Sequence, residues 1–403
     1  MALIVQKFGG SSVANKERVE NVARRIIETY QKGNSVVVVV SAQGDTTDDL
    51  IEKAREITDY PSKREMDMLL STGEQISISL LAMAIHAQGF PAISLTGWQV
   101  GMQTDCNYSN ARILDLKAER VRRELENKNI VIVAGFQGID RFEDITTLGR
   151  GGSDTSAVAL AAALHADLCE IYTDVDGVYT ADPRVVKSAR KLDDISFDEM
   201  LELASMGANV LHNRSVEMAK KYNVNLCVRS SLNHNEGTIV REVNDMEKML
   251  VKGVAHDYDV ARIALCDIED KPGVAFRIFS LLSKYGINVD IILQSIGRHD
   301  RKDISFTVTK TNLPVAVKVL EENKATIGFS EMNTTDTVAK VSIVGAGMVN
   351  NPGVASRMFE ALYEAGVNIH MISTSEIKVS VLISARNVEK AVNAIHDKFN
   401  LGD

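Results

Sequence analysis

The sequence predicts an α/β protein with a mostly parallel sheet, followed by a duplicated α+β region. Short apolar runs alternate with helical patterns through the first 245 residues, as in layered folds built on parallel strands. The run Val36–Val40 is five valines, which indicates a central strand buried on both faces. Beyond this region, one pattern occurs twice, from Pro272 and again from Pro352, an offset of 80 positions.

The first region resolves into strands and helices in order. We predict strands at 3–8, 36–40, 92–96, 130–136 and 168–173, and helices at 15–32, 73–88, 111–127 and 156–165. Ligands of parallel sheets bind beyond the carboxyl ends of the strands. The Gly-rich segments of this chain follow predicted strands, so we expect a binding site at that edge.

The second region contains two copies of one supersecondary unit. Segment 271–279 matches 351–359, and 286–288 matches 366–368 in the same register. Each copy reads as a strand, a helix opened by Pro-Gly, two strands and a helix, but only the first has room for a last strand. We hypothesise that a strand at 249–256 completes the second copy, so that the copies interleave. The predicted organisation is a first domain at 1–245, a linker with this strand at 246–260, and copies at 261–335 and 336–403.

Composition excludes several classes of protein. The net charge of −9, from 54 acidic and 45 basic residues, argues against a nucleic-acid-binding scaffold. The four cysteines lie far apart without a CxxC pair, which favours buried thiols in a reducing cytosol over a zinc or redox site: Cys106, Cys169, Cys227 and Cys266. The apolar N-terminal run is too short for a signal peptide, and no stretch approaches the ~18 apolar residues of a membrane helix. We therefore expect a cytoplasmic protein with no membrane partner.

The segment Lys7–Ser12 places a lysine at the end of a strand, before two glycines and a helix start. Glycines let backbone N–H groups approach a phosphate closely, and a helix N-terminus favours negative charge. Lys7 would add a point charge for a transferred phosphoryl group. The alternative is a tight strand–helix turn with a surface lysine. No P-loop or protein-kinase catalytic-loop pattern is present.

Two further segments carry candidate chemistry. In Gly149–Ser156, Arg150 could grip a carboxylate with two hydrogen bonds, while Asp154 could hold Mg²⁺ or orient a substrate ammonium group. A capped helix N-terminus is the structural alternative, and both can hold together. The segment Thr173–Arg184 could contact a nucleotide or be a plain polar turn. It is not a calcium loop, because Val185 stands where a glutamate is needed.

These segments, together with Ser41–Asp48, Ser71–Glu74 and Val210–His212, resemble aspartate kinases of the amino-acid kinase superfamily, and the repeat resembles their paired ACT domains. The resemblance implies an amino-acid kinase fold, two ferredoxin-like ACT domains, and phosphorylation of L-aspartate with ATP and Mg²⁺. It implies ATP contacts from Lys7, Gly9, Gly10, Ser41, Thr173, Asp174, Tyr179, Asp182 and Arg184. It implies aspartate contacts from Thr47, Glu74, Arg150, Gly151, Gly152 and Ser153, with Lys7 and Asp154 central to catalysis.

Two positions qualify this resemblance. Related sequences often have a lysine, which contacts ATP, where this chain has Asn209, so the strength of nucleotide binding stays open. His212 is a tempting general base, but we interpret it as a hydrogen-bonded structural histidine. The β-carboxylate of aspartate is already ionised at neutral pH, since its ordinary pKa is about 3.9, and needs no base.

The ACT resemblance implies feedback inhibition by lysine, threonine or both, bound where two such domains meet. The candidate effector residues are Asp270, Lys271, Pro272, Gly273, Val274, Ala275, Asn288, Asp290 and Gln294, with Asn368, Ile369, Ser373 and Thr374 in the second copy. Even spacing would put residues 288, 290 and 294 on one face of a strand. The alternative is that these domains serve only dimerisation.

The resemblance also implies a homodimer or larger homo-oligomer formed through the ACT domains. Some relatives make the regulatory half separately, and Met246 or Met249 could start such a product here. Two other functions remain open at this level: a different amino-acid kinase, such as a glutamate kinase, and a non-catalytic amino-acid sensor.

Overall fold

The computed structural model describes residues 1–205, 210–242, 250–295, 297, 300–348 and 351–402. They form two compact units. Unit 1 contains Met1–Val178, Lys191–Ala204 and the described part of 209–245; unit 2 contains Tyr179–Arg190, Ser205 and the described residues after 245. Asn209 and the possible internal starts Met246 and Met249 lie outside the described residues.

Unit 1 is built on a large, mostly parallel sheet and a smaller sheet. Its described strands are β1 Leu3–Phe8, β2 Ser35–Val40, β3 Ala92–Leu95, β4 Met102–Thr104, β5 Ile113–Leu116, β6 Ile130–Ala134, β7 Gln137–Ile139, β8 Ile145–Thr147, β9 Leu168–Thr173, β10 Asp194–Ser196, β11 Leu226–Ser230 and β12 Thr238–Arg241. The large sheet has the order β10-β12-β11-β9-β1-β2-β6-β3, and the small one β5-β4-β7-β8. Only β11 and β12 pair antiparallel within the described large sheet, so the predicted α/β class is confirmed.

The helices of unit 1 cover the large sheet. They are α1 Lys16–Gln31, α2 Thr46–Ile57, α3 Lys63–His86, α4 Glu119–Glu126, α5 Gly152–Leu164, α6 Phe197–Ser205 and α7 Asn213–Tyr222. Side chains of α1 and α3 form one hydrophobic core with Phe8 and with alternate valines of β2. The intervening Val37 and Val39 are also fully buried, and α5 contacts β1, β2 and β9. The valine run is thus covered on both faces, as predicted.

Two predicted helices of unit 1 differ from the structure. The one predicted at 73–88 begins ten residues earlier, at Lys63, after the extended residue Ser62. The one predicted at 111–127 is wrong in its first half, because Ile113–Leu116 pairs antiparallel with β4. Ala118 then takes a left-handed conformation, with φ of 47°, before the short α4 begins. Pairing with a neighbouring strand overrides the local helical pattern here.

Helix α3 is long and apolar enough, by length and composition alone, to suit a membrane span, and it is the one such helix among the described residues. The sequence predicted no membrane-length stretch, because polar residues interrupt the apolar ones along this helix. Half of its most apolar window is buried inside the protein, and Asp67 and Glu74 are buried along it. These features are typical of the core helix of a globular unit.

Unit 2 contains two antiparallel sheets with helices packed on them. Its strands are β13 Gly253–Asp257, β14 Ala261–Glu269, β15 Ile292–Gln294, β16 Arg301–Val308, β17 Glu331–Thr335, β18 Val338–Val344, β19 Ile369–Thr374 and β20 Lys378–Ser384, and its helices are α8 Val274–Lys284, α9 Leu313–Glu322, α10 Lys324–Ile327, α11 Val354–Glu364 and α12 Val388–Lys398. The sheet orders are β15-β16-β14-β17 and β13-β18-β20-β19. Strand β13, which precedes the first copy, pairs antiparallel with β18 of the second, as the interleaved arrangement requires.

A segment inside the range predicted for the first domain packs in unit 2. Within Tyr179–Arg190, Ala181 and Val186 are buried in the hydrophobic core that β18, α11 and α12 form. The carbonyl oxygen of Thr180 accepts a hydrogen bond from the backbone of Val254 at 2.7 Å. Its hydroxyl bonds to the buried His396 at 3.0 Å. The chain therefore leaves unit 1 here because its apolar side chains complete another core.

The two copies contact one another within unit 2. Ile291 of the first copy and Val260, which directly precedes that copy, share a small buried cluster with Val338, Met371 and Leu382 of the second. Beside it, the ammonium group of Lys340 lies 2.6 Å from the carboxylate of Asp290. An apolar contact and an ion pair thus connect the copies.

One strand of the first copy is much shorter than predicted. The strand expected at 287–295 is reduced to Ile292–Gln294. Ile287 and Ile291 are both buried, whereas the three residues of the short strand are all exposed. Asn288 and Asp290 precede this strand, so strand geometry does not place them on one face with Gln294.

Candidate active site

The carboxyl ends of four parallel strands meet at one edge of the large sheet. Strands β9, β1, β2 and β6 are consecutive neighbours, all parallel. They are followed by Asp174, Gly9, Ser41 and Gly135 respectively. The segments that the sequence singled out separately are thus adjacent in space, where such sheets bind ligands.

The two glycines after β1 lie against the loop after β2. A Cβ atom on Gly10 would stand 2.6 Å from the carbonyl oxygen of Ala42, so a side chain has no room there. The amide of Gly44 donates to the carbonyl oxygen of Gly10 at 3.1 Å, and that of Ser41 to Phe8 at 3.2 Å. The loops are locked together, with glycine backbone at the surface of the site.

Lys7 and Asp154 form an ion pair at this edge. The lysine Nζ lies 2.7 Å from the aspartate Oδ1, and each side chain is 13% exposed. Asp154 belongs to the first turn of α5, whose amide groups favour negative charge. The pair joins the end of β1 to the start of α5, and it fixes the lysine close to the glycine loop.

Glu74 is a nearly buried carboxylate with one hydrogen-bonded oxygen. Its Oε1 accepts the backbone N–H of Ala42 at 3.0 Å, and its side chain is 3% exposed. Its Oε2 has no hydrogen-bond partner among the described residues. Burial raises the pKa of Glu74 to about 7. A buried, unsatisfied carboxylate oxygen is well suited to a cationic ligand group.

The segment before α5 follows a course that requires glycine. Gly149 and Gly151 have φ of 74° and 67°, in the left-handed region. Gly151 lies directly against the ring of His212, and Ser153 is buried against Gly135. Arg150 is exposed between the glycines, and its guanidinium group forms no hydrogen bond or ion pair among the described residues, although its charge helps to lower the pKa of His212. It is a cation available to a ligand.

His212 caps the N-terminus of α7. Its Nδ1 accepts the backbone N–H of Arg214 at 3.4 Å. Burial lowers the pKa of His212, so the ring is neutral at pH 7. The capping contact and the packing on Gly151 agree with the structural interpretation of this histidine.

Comparison with known proteins decides the family. A model of the amino acid kinase family matches residues 2–230, and a model of the ACT domain matches 267–323 and 341–399. An aspartokinase of Bacillus sp. (strain MGA3) is 53% identical over 402 residues, which cover 100% of this chain and 98% of that protein. The chain belongs to the aspartokinases.

Solved aspartokinase structures share the fold. E. coli aspartokinase III in complex with aspartate and ADP has a TM-score of 0.82 and 26% identity, over 98% of this chain and 99% of that one. The same enzyme in complex with lysine and aspartate has a TM-score of 0.79 at 26% identity, with the same coverage of both chains. The amino-acid kinase and ACT domain predictions are therefore confirmed.

The other predicted nucleotide contacts of this aspartokinase divide between the units. Thr173 and Asp174 follow β9 in unit 1, and the threonine hydroxyl donates to the aspartate carboxylate at 2.9 Å. Tyr179, Asp182 and Arg184 belong to unit 2. Arg184 pairs with Asp182 at 2.8 Å and lowers its pKa. Thr47, a predicted aspartate contact, is half-buried in the first turn of α2.

The predicted effector residues lie in unit 2. Asp270 pairs with Lys302 at 2.7 Å, as Asp290 does with Lys340, so both acidic candidates already have a cationic partner. Gly273 has φ of 90° and precedes α8. Of the remaining candidates, Lys271, Pro272, Ala275, Asn288, Gln294, Asn368 and Thr374 are exposed, Ile369 and Ser373 are half-buried, and Val274 is buried.

Sequence reasoning missed several residues around the site. The amide of Ala42 orients Glu74, which no pattern in the loop reveals. Arg214 donates to the carbonyl oxygen of Leu148 at 2.5 Å, next to the Arg150 segment. Asp67 is fully buried on α3. Its spacing of seven from Glu74 is two helical turns, and this signal was available in the sequence.

Proposed function

We propose that this aspartokinase transfers the γ-phosphoryl group of ATP to the β-carboxylate of L-aspartate. The product, 4-phospho-L-aspartate, would be the first intermediate of the route to lysine, threonine and methionine. The ion pair of Lys7 and Asp154, beside the glycine loop of β1, is the observation that carries the proposal. A cation held beside glycine backbone at the end of a strand supports phosphate binding and transfer there.

Two side chains of opposite charge would recognise the amino-acid portion of the substrate. The unpartnered oxygen of Glu74 suits the ammonium group, and Arg150 suits the α-carboxylate through two parallel hydrogen bonds. Thr47, Gly151, Gly152 and Ser153 would complete the pocket. The β-carboxylate is then left to face the nucleotide.

The chemical step needs charge stabilisation rather than a general base. The β-carboxylate is ionised at pH 7, and its attack brings two anions together. Lys7 would stabilise the developing charge on the phosphoryl oxygens, and Asp154 would hold the lysine in place rather than accept a proton. Catalysis then consists of positioning and electrostatics.

Mg²⁺ would enter with the nucleotide. Within the described residues no cluster of three or more His, Cys, Asp or Glu side chains could hold a metal alone. Mg²⁺ is commonly held by one or two protein carboxylates together with phosphate oxygens of the nucleotide, and such a site needs no larger cluster. Asp154, which the sequence indicated as a candidate for holding Mg²⁺, would supply such a carboxylate. When bound, the ion neutralises negative charge on the phosphates.

Nucleotide binding would combine backbone and side-chain contacts. Gly9, Gly10 and Ser41 would cradle the phosphates, because their loops meet at the sheet edge beside the ammonium group of Lys7. Thr173 and Asp174, with Tyr179, Asp182 and Arg184, would contact the remainder of the nucleotide.

We also propose that lysine, threonine or both inhibit the enzyme through its ACT domains. The matching ACT model and the lysine present in a related aspartokinase structure support this proposal. The exposed edge strands β15 and β19 suit assembly into a homodimer or larger homo-oligomer. A separately made regulatory subunit and a cytoplasmic location belong to the same proposal.

An acceptor assay tests the function directly. Purified protein is incubated with Mg·ATP and either L-aspartate or L-glutamate, and acyl phosphate is trapped with hydroxylamine. We expect product with aspartate, and less product when lysine or threonine is added at millimolar concentration. Product with glutamate instead would make the chain a different amino-acid kinase. No phosphotransfer to either acceptor would favour a non-catalytic sensor.

A further inference from the structure

Asp67 is fully buried, and its carboxylate accepts hydrogen bonds from two separate chain segments, at Ser109 and at Thr147. Its oxygens accept hydrogen bonds from the amide and hydroxyl of Thr147, both at 2.8 Å. They also accept from the amide of Ser109, at 2.9 and 3.0 Å, and from its hydroxyl at 3.3 Å. Among the described residues no lysine, arginine or histidine forms an ion pair with Asp67. Its charge is therefore balanced by four donors on two segments.

These two segments set the course of the chain that carries Arg150. Ser109 has φ of 69°, a conformation that the bonds to Asp67 stabilise. Its carbonyl oxygen lies 3.0 Å from where a Cβ atom of Gly149 would stand. Thr147 is the last residue of β8, three positions before Arg150. Asp67 thus holds the residues that lead into the arginine and those that pack against the adjacent glycine.

A second charged side chain holds the same two segments. Arg214 donates to the carbonyl oxygen of Leu148 at 2.5 Å and to that of Ala111 at 2.9 Å. A buried anion on α3 and a half-buried cation on α7 therefore fix the backbone before Arg150. The guanidinium of Arg150 has no partner of its own among the described contacts, so its position depends on this backbone.

The same helix carries the other substrate-recognising group of the proposed function. Asp67 and Glu74 are seven residues apart on α3, so they lie on one face two turns from each other. The later turns of the helix are anchored in the core through Ile78, Leu81 and Ile85. The helical spacing therefore relates the carboxylate that would bind the ammonium group to the segment that carries Arg150.

We infer that Asp67 is a positioning residue for aspartate, which sets the distance between the ammonium-binding Glu74 and the carboxylate-binding Arg150. This inference rests on the proposed roles of Glu74 and Arg150. When these groups hold the ammonium and the α-carboxylate in one place, the distance from the α-carbon to the γ-phosphoryl group is also fixed. That distance then selects an acceptor by the length between its α-carbon and its reacting carboxylate. If the hydrogen bonds of Asp67 are lost, the backbone that carries Arg150 is held less firmly. Aspartate should then bind more weakly, and the preference for aspartate over glutamate should decrease.

The test is Asp67→Asn, which preserves shape but replaces one acceptor oxygen by an NH₂ group facing N–H donors. We expect the KM for aspartate to rise roughly tenfold or more, since small misplacements of binding groups cost this much. The KM for ATP should stay unchanged, and the ratio of aspartate to glutamate turnover should fall. Thr147→Val removes only one hydroxyl that donates to Asp67, so it should change the same quantities by a smaller amount. It replaces Asp67→Asn as the test variant if that protein does not fold.

Asp144→Asn is the matched control. Asp144 accepts hydrogen bonds from Arg64 at 2.6 Å and Tyr108 at 3.1 Å, but none from the segment 147–150. It should therefore leave the KM for aspartate unchanged. A lower melting temperature for Asp67→Asn, with unchanged KM and acceptor preference, would overturn the inference and leave Asp67 a purely structural residue.

Arg150→Ala separates this inference from the proposed function. If Arg150→Ala raises the KM for aspartate but Asp67→Asn does not, only the positioning inference fails. If Arg150→Ala has no effect on aspartate binding, the proposed role of Arg150 fails, and the inference fails with it.

Discussion

The ammonium group of Lys7 lies 2.7 Å from the carboxylate of Asp154, and this pair connects the end of β1 to the first turn of α5. The two residues are 147 positions apart in sequence, and each side chain is only 13% exposed to solvent. Such a pair holds a long, flexible lysine in one place, which a phosphate-binding cation requires.

Asp154→Asn should abolish most activity while both substrates still bind. The asparagine cannot pair with Lys7, so the lysine loses its fixed position, and we expect kcat to fall by about 10²–10³-fold. Binding of ATP and of aspartate, measured by calorimetry, should change little. Asp198→Asn, which removes a surface pair with Lys220 at 2.5 Å, is the control. Full activity in Asp154→Asn would refute the role.

Glu74 should make aspartate binding depend on pH. Its pKa of about 7 lies above the ordinary value of 4.5, so the free enzyme is largely protonated at this position below neutral pH. A substrate ammonium group needs the ionised form, and the KM for aspartate should therefore fall as pH rises from about 6 to about 8, by up to roughly tenfold per unit below 7. The KM for ATP should show no such trend.

The raised pKa of Glu74 also predicts that the folded protein loses stability as pH rises. The folded pKa is raised, so the contribution of Glu74 to stability is complete below about 4.5 and is lost as pH rises through about 7. Glu74→Gln should flatten this dependence in denaturant titrations at several pH values. An identical pH profile in the variant and the parent would contradict the assignment.

Lys340→Met should uncouple the ACT domains from inhibition. The lysine is buried and joins the second copy to Asp290 of the first. Removing it breaks a contact between the copies but touches no predicted substrate residue. We expect the inhibition constant of lysine or threonine to rise roughly fivefold or more, with uninhibited activity retained. Lys318→Met, at an exposed pair with Glu322, should leave inhibition as it was.

His396 should make unit 2 sensitive to acid. The ring is fully buried, and burial lowers its pKa below 6.5, although the nearby Asp397 acts in the opposite direction. As pH falls below about 6.5 the unfolded chain binds the proton first, so the free energy of unfolding decreases. His396→Gln keeps a polar partner for Thr180 and should lose part of this slope. Parallel slopes for variant and parent, in denaturant titrations from about pH 7.5 to about 5.5, would exclude the histidine as the cause.

Local patterns predicted most of the fold correctly. The valines of β2 indicated a buried parallel strand and the glycines after β1 indicated a tight turn, because apolar runs and glycine preferences act over a few residues. The 80-residue repeat likewise revealed two related units. The prediction failed at 111–127, where pairing with β4 overrides helical propensity, and at 287–295, where the strand is reduced to Ile292–Gln294.

The sequence by itself determined the class of fold, the duplicated second half and the residue types of the site, since these depend on short-range periodicity and composition. Only the tertiary structure decided which distant groups meet: Lys7 with Asp154, Glu74 with the amide of Ala42, and Asp67 with Ser109 and Thr147. It also decided that Tyr179–Arg190 packs in unit 2. Such contacts depend on how helices and strands pack in three dimensions, and a linear pattern carries no information about partners brought together by that packing.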